Sequence, residues 1–171
     1  MNTYPVYEDF FRDVSAKLLL LGRDSGKSNL IFIQEPELAN ALLVALKNKM
    51  SYPCVVVEFP DEDLDAGALD YRTITGAFAV LEPIKTDANG ADDIRAGVYE
   101  RLKPAADQIM ARMRNLTRRG ELQLDGQMIT MEGAVHGNWV GPLFNNMYGW
   151  RYSFEWRIPS GICLDLNAWE L

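Results

Sequence analysis

The sequence predicts an α+β fold, an antiparallel sheet with helices packed on one face, in a single domain spanning residues 1–171. Residues 150–158 carry most of that expectation, because they alternate without a miss. Trp150, Tyr152, Phe154, Trp156 and Ile158 fall on one face of an extended strand; Arg151, Ser153, Glu155 and Arg157 fall on the other. One dry and one wet face is what an antiparallel sheet covered on a single side requires. Two further segments, residues 7–21 and 91–119, instead show the apolar spacing of amphipathic helices. Short runs of β-branched residues bounded by proline and glycine lie between them. Strands and helices that do not alternate one for one belong to the α+β class.

The first element is a helix, with Tyr7, Phe10, Phe11, Val14, Leu18 and Leu21 on one stripe and Gly22 ending it. Residues 30–33 read as a short strand. Pro36 suits the first turn of a second helix, with Leu38, Leu42, Leu46 and Met50 along one side. Residues 54–59, Cys-Val-Val-Val-Glu-Phe, form a strand set between Pro53 and Pro60. Residues 61–70 read as an acidic loop, and residues 72–81 as the next strand. Pro83 and the Asp-Ala-Asn-Gly cluster at 87–90 mark a turn.

Residues 91–119 place Ile94, Val98, Leu102, Ala105, Ile109, Met113 and Leu116 on one stripe. Pro104 interrupts it, which predicts a kink or two helices meeting. Arg112, Arg114, Arg118 and Arg119 crowd its end, where cations favour the negative pole of the helix dipole, and Gly120 supplies the stop. Residues 121–131 read as a hairpin turning at Asp125 and Gly126. A β region follows through Val135, then a loop over residues 137–149 leading into the alternating strand. The tail at 162–166 is expected to pair at a sheet edge.

A chain of 171 residues buries roughly 70% of its unfolded surface. Its 48% apolar and 24% charged residues are those of a globular protein, and a net charge of −7 argues against a broad nucleic-acid surface. No apolar run is long enough to span a bilayer, and no leader segment precedes the first helix, so a cytoplasmic, reducing setting is expected. Cys54 and Cys163 lie far apart; Cys54 reads as a small buried hydrophobe, and spacing alone does not decide whether the two pair.

Several stretches resemble chemical motifs and fail them. Residues 22–28, Gly-Arg-Asp-Ser-Gly-Lys-Ser, approach a phosphate-binding loop, but three residues rather than four separate Gly22 from Gly26. A calcium loop starting at Asp61 needs glycine sixth and glutamate twelfth; the chain has Ala66 and Arg72. His136 is the only histidine, so a two-histidine metal site is excluded, and no serine sits in a nucleophile elbow. No catalytic residue, cofactor site or metal site is expected. Trp139, Phe144, Tyr148 and Trp150 concentrate aromatics around Gly137, Gly141 and Gly149, a composition that suits core packing or a protein contact.

Residues 7–17 (Tyr-Glu-Asp-Phe-Phe-Arg-Asp-Val-Ser-Ala-Lys), 52–58 (Tyr-Pro-Cys-Val-Val-Val-Glu) and 140–154 (Val-Gly-Pro-Leu-Phe-Asn-Asn-Met-Tyr-Gly-Trp-Arg-Tyr-Ser-Phe) resemble a family of prophage proteins of gut bacteria. In order and size, the elements are similar to the small tail-terminator and tail-completion proteins of long-tailed phages. The resemblance implies an α+β subunit without enzymatic activity. Such a subunit forms a ring with copies of itself at one end of a phage tail and contacts other tail proteins. It would be found in the host cytoplasm during assembly and then in the virion. A ring needs one patch to meet a different patch on its neighbour. The acidic run Asp61, Glu62, Asp63 and Asp65, the basic helix end Arg112, Arg118 and Arg119, and Trp139 are the expected subunit interface. Two other readings stay open at this level. One is a small-molecule or peptide-binding domain using the uncovered sheet face; the other is an enzyme centred on His136 and the acidic run.

Overall fold

A computed structural model describes residues 4–34, 49–65, 71–85, 90–143 and 146–159. The element order is α1 (Tyr4–Lys17), β1 (Ser28–Ile33), β2 (Met50–Asp65), β3 (Tyr71–Pro83), α2 (Gly90–Gly97), a π-helical turn (Val98–Leu102), α3 (Lys103–Arg118), β4 (Gln123–Leu124), β5 (Gln127–Met128), β6 (Thr130–Leu143) and β7 (Met147–Pro159). Five strands form one sheet in the order β1-β2-β3-β7-β6, and β4 pairs with β5 as a separate small hairpin. β1 runs parallel to β2, and every other pairing is antiparallel. The expected second helix from Pro36 through Leu46, the turn at 87–89, Phe144, Cys163 and the tail at 162–166 lie outside the described residues; Met50 opens β2.

The alternation of residues 150–158 sets the main core. Phe154, Trp156 and Ile158 on β7 are buried, and Ile74, Phe78 and Val80 from β3 lie beside them on the same face. Val55 and Val57 from β2 continue that layer. Tyr7, Phe10, Phe11 and Val14 of α1 close over one half of it, and Val98, Leu102, Ala105, Ile109 and Met113 close over the other. The helices therefore share one face of the sheet, as expected. Gly76 makes this packing feasible, because a methyl group there would come within 2.7 Å of the Tyr7 ring and 2.8 Å of the Phe154 ring.

The opposite face is not uniformly wet. Ile31, Met50, Cys54, Val56, Ala79, Leu81 and Met147 form a second buried cluster there. Residues of β2 and β3 thus alternate between two apolar environments, which is why residues 54–57 read as a continuous apolar run and not as an alternation.

Both prolines that seemed to bound a six-residue strand lie inside β2. Pro53 falls between Met50 and Val55, where the β1 register shifts, and ahead of Cys54, where pairing with β3 begins. Pro60 falls where β2 steps from Glu58, opposite Ala77, to Asp61, opposite Thr75, a bulge of one extra residue. Neither position requires a ladder N–H, so a proline is tolerated at both.

Pro104 acts as expected, with a specific device. Its missing N–H and its ring are incompatible with a continuous α-helix, and the chain widens by one residue per turn just before it. The Lys103 N–H donates to the Val98 carbonyl, and Pro104 falls in the first turn of α3. Gly120 ends α3 at φ 65°, with the Glu121 N–H reaching back to the Leu116 carbonyl at 2.9 Å, a Schellman closure. Asp125 and Gly126, at φ 49° and 79°, turn the β4–β5 hairpin, whose Leu122, Leu124 and Ile129 join the main core. The loop expected over 137–149 is instead the meeting of two long strands: β6 runs to Leu143 and β7 starts at Met147. Glycine-rich sequence there weakened the strand signal, yet Gly137 and Gly149 sit where Tyr152, Trp150 and the Val80 carbonyl crowd the backbone.

Candidate functional site

Of the expected acidic loop, residues 61–65 are strand, and residues 66–70 lie outside the described residues. β1 ends its pairing at Ile33 opposite Glu58, and β2 continues alone on that side, paired only with β3 among the described residues. Asp61, Glu62, Asp63, Leu64 and Asp65 stand opposite Thr75, Ile74, Thr73, Arg72 and Tyr71. Acidic residues are poor strand formers, so local propensity argued for a loop, but the β-branched partner run on β3 holds them extended. Glu62 points to the helix-covered side and meets Arg72 at 3.1 Å, with the Arg72 side chain buried. Asp61 and Asp63 point to the opposite side with Thr73 and Thr75, and both are exposed. Phe59 and Leu64 flank them, 39% and 56% exposed. Phe59 stacks on Tyr4 at 5.4 Å and lies 6.1 Å from Phe32, closing the end of β1.

The expected basic residues divide into two groups. Arg112 is engaged inside the chain, donating to Asp13 on α1 at 2.8 Å, and Arg119 pairs with Glu121. Lys17 and Arg112 together hold the Asp13 carboxyl below its ordinary value, chiefly through the Lys17 hydrogen bond. Arg118 makes no ion pair among the described residues, and neither does Arg114, four residues earlier on the same face of α3. With Thr117, Thr130, Met131, Gly133 and Val135, these two arginines line a groove of about 380 Å³ between α3 and the start of β6. Arg114 was missing from the expected interface, although its i, i+4 spacing to Arg118 was in the sequence. Trp139 lies elsewhere, farther along β6, with its ring 5.9 Å from Tyr99 and 6.4 Å from Tyr148.

Register fixes how the two charged features relate. Asp63 stands opposite Thr73, Thr73 opposite Arg157, and Arg157 opposite Thr130. The acidic and basic features therefore lie at the same end of the sheet but on opposite edges, about 14 Å apart by three interstrand spacings. Like Asp61 and Asp63 on their own edge, Arg114 and Arg118 find no counter-charge in their own chain among the described residues.

Other polar groups brought together by the fold are structural. Arg151 donates from Nε and Nη2 to the two carboxylate oxygens of Glu58 at 2.7 and 2.9 Å, which raises its affinity for the proton. The Tyr7 hydroxyl donates to the Glu58 carbonyl at 2.9 Å, and its burial raises its pKa. Lys103 and the Tyr152 hydroxyl both donate to Asp107, at 2.7 and 2.5 Å, and Lys103 lies 5.4 Å from the Trp150 ring. Arg101 covers Glu82, whose burial raises its carboxyl above the ordinary value.

The failed motifs have structural explanations. Ser28 opens a strand where a phosphate loop requires a helix N-terminus. Gly22 lets the turn press on β2, because a methyl group there would meet Ser51 and Tyr52 at 2.4 Å. Asn29 ties the turn down, donating to the Ser15 and Gly22 carbonyls at 3.0 and 2.9 Å. Cys54 is a free, fully buried thiol, pushed up to about 12 by its burial. His136 is exposed on β6 opposite Ser153. Among the described residues, no three His, Cys, Asp or Glu side chains are grouped to hold a metal ion, and no helix is long and apolar enough to cross a membrane.

No protein-family model matches the chain, and a comparison with curated proteins finds no match.

Proposed function

We propose that this protein is a non-enzymatic structural subunit that works through contacts between copies of itself, in the manner of a phage tail-terminator or tail-completion protein. One observation supports the self-contact: among the described residues, aspartates without an ion pair lie on the β2 edge and arginines without one lie on α3 beside the β6 edge, at the same end of the sheet. Two acidic edges facing each other across a two-fold axis repel, whereas an acidic edge facing a basic one attracts. The favoured contact is head-to-tail, and repetition of such a contact closes a ring or extends a filament. The phage-tail assignment rests on the resemblance of residues 7–17, 52–58 and 140–154, and with it come other tail proteins as partners and the virion as destination.

Sedimentation velocity across protein concentration tests the self-contact. Assemblies larger than the 19.3 kDa chain are expected at low salt, shrinking toward single chains as added salt screens the charged edges. A single-chain mass at every concentration and salt would refute the reading. Tail-tube, tape-measure or portal genes beside this one test the tail assignment, and their absence counts against it.

A further inference from the structure

Within this reading of the protein as a self-assembling subunit, we infer that the exposed β2 edge of one copy, residues 59–64, seats in the groove between α3 and β6 of the next copy. The acidic strand is the inserted element and the arginine-lined groove receives it. Charge distinguishes the residues within each feature. In the acidic run Glu62 is engaged by Arg72, whereas Asp61 and Asp63 make no ion pair among the described residues; at the helix end Asp13 and Glu121 engage Arg112 and Arg119, whereas Arg114 and Arg118 make none. Apolar contact adds to it. Phe59 and Leu64 are among the few large hydrophobic side chains left exposed, and Met131 and Val135 on the groove wall are only partly covered. A segment of this length extends about 20 Å, and the β2 edge is free to pair on its outer side beyond Glu58 among the described residues.

The edge cannot fill its own groove, because the sheet fixes the two on opposite sides about 14 Å apart. Each copy therefore presents one inserted edge and one groove, and the contact is directional.

Two variants with opposite defects test this. The first carries Asp61→Lys and Asp63→Lys; the second carries Arg114→Glu and Arg118→Glu. All four positions are exposed, so unchanged thermal melting is expected for both. Each variant alone is expected to self-associate at least about tenfold more weakly than the unaltered protein. An equimolar mixture is expected to recover assembly, because each positive edge then meets a negative groove and each negative edge a positive groove. If the unaltered protein assembles and either variant assembles equally well alone, or the mixture stays dissociated, the groove assignment is overturned while self-assembly stands. If the unaltered protein is a single chain throughout, both proposals fall. Hydrogen exchange on the unaltered protein supplies a readout independent of the variants. Assembly is expected to slow exchange at residues 59–64 and 130–135, and unchanged exchange there in an assembled sample overturns the inference.

Discussion

Arg151 and Glu58 belong to strands on either side of β3, and they reach each other across Ala77 and Ala79, whose small side chains leave room for a two-pronged contact. Arg151→Met leaves a half-buried carboxylate without its two donors, and a loss of about 2 kcal/mol in urea unfolding is expected. Glu58→Gln keeps one acceptor and should cost less. A double-mutant cycle should return a coupling on the order of 1 kcal/mol, and a coupling near zero would reduce the pair to surface decoration. Cys54 gives a second test at this scale. Its thiol stays neutral in the folded chain to about pH 12, while in the unfolded chain it ionises near its ordinary value of about 8.5. Its contribution to stability is therefore complete below about pH 8.5 and is lost as pH rises toward the folded value. In a Cys163→Ser background, alkylation of Cys54 by iodoacetamide at pH 8 should be slow in the native state and rapid in urea.

At the scale of elements, legibility followed the strength of local signals. The α1 stripe through Val14, the Asp125–Gly126 turn, the Pro104 interruption and the β7 alternation were all readable, because each depends on side chains a few residues apart; the helix end expected at Gly22 falls instead at Lys17. The extent of β2 was not readable. Its far half is extended through pairing with residues on β3, six to fourteen positions away in sequence, and nothing local announces that. Two glycine substitutions separate the kinds of constraint involved. Gly76→Ala places a methyl group against Tyr7 and Phe154, and a loss of about 1–3 kcal/mol is expected from overpacking. Gly126→Ala meets no neighbour but must hold φ near 79°, so a loss of about 1 kcal/mol is expected from backbone strain alone. Thermal or urea melts of the two proteins should rank them in that order.

For the molecule as a whole, the fold class was legible because one strand recorded which side of the sheet is dry. The second buried cluster was not, since residues 54–57 are apolar on both sides and their period carries no information about a far face. Of the expected interface, composition picked out the acidic run and the arginine-rich helix end, but only the three-dimensional pairings show which charges are already spent. Arg112 and Arg119 are compensated within the chain; among the described residues Arg114 and Arg118 are not. Salt dependence should report this difference. Arg114→Glu with Arg118→Glu should flatten the response of assembly mass to ionic strength, whereas Arg119→Glu alone should change it little.

The extra residue at positions 59–60 of β2 has a consequence for which way the acids look. Up to Glu58 the even-numbered side chains lie away from the helices; from Asp61 onward the odd-numbered ones do. The bulge inverts the parity of the strand. Deleting Pro60 removes the surplus residue and leaves Phe59 to face Gly76, with Asp61 still opposite Thr75 and Glu62 still opposite Ile74, so a single-codon deletion should straighten the strand without turning any carboxylate inward.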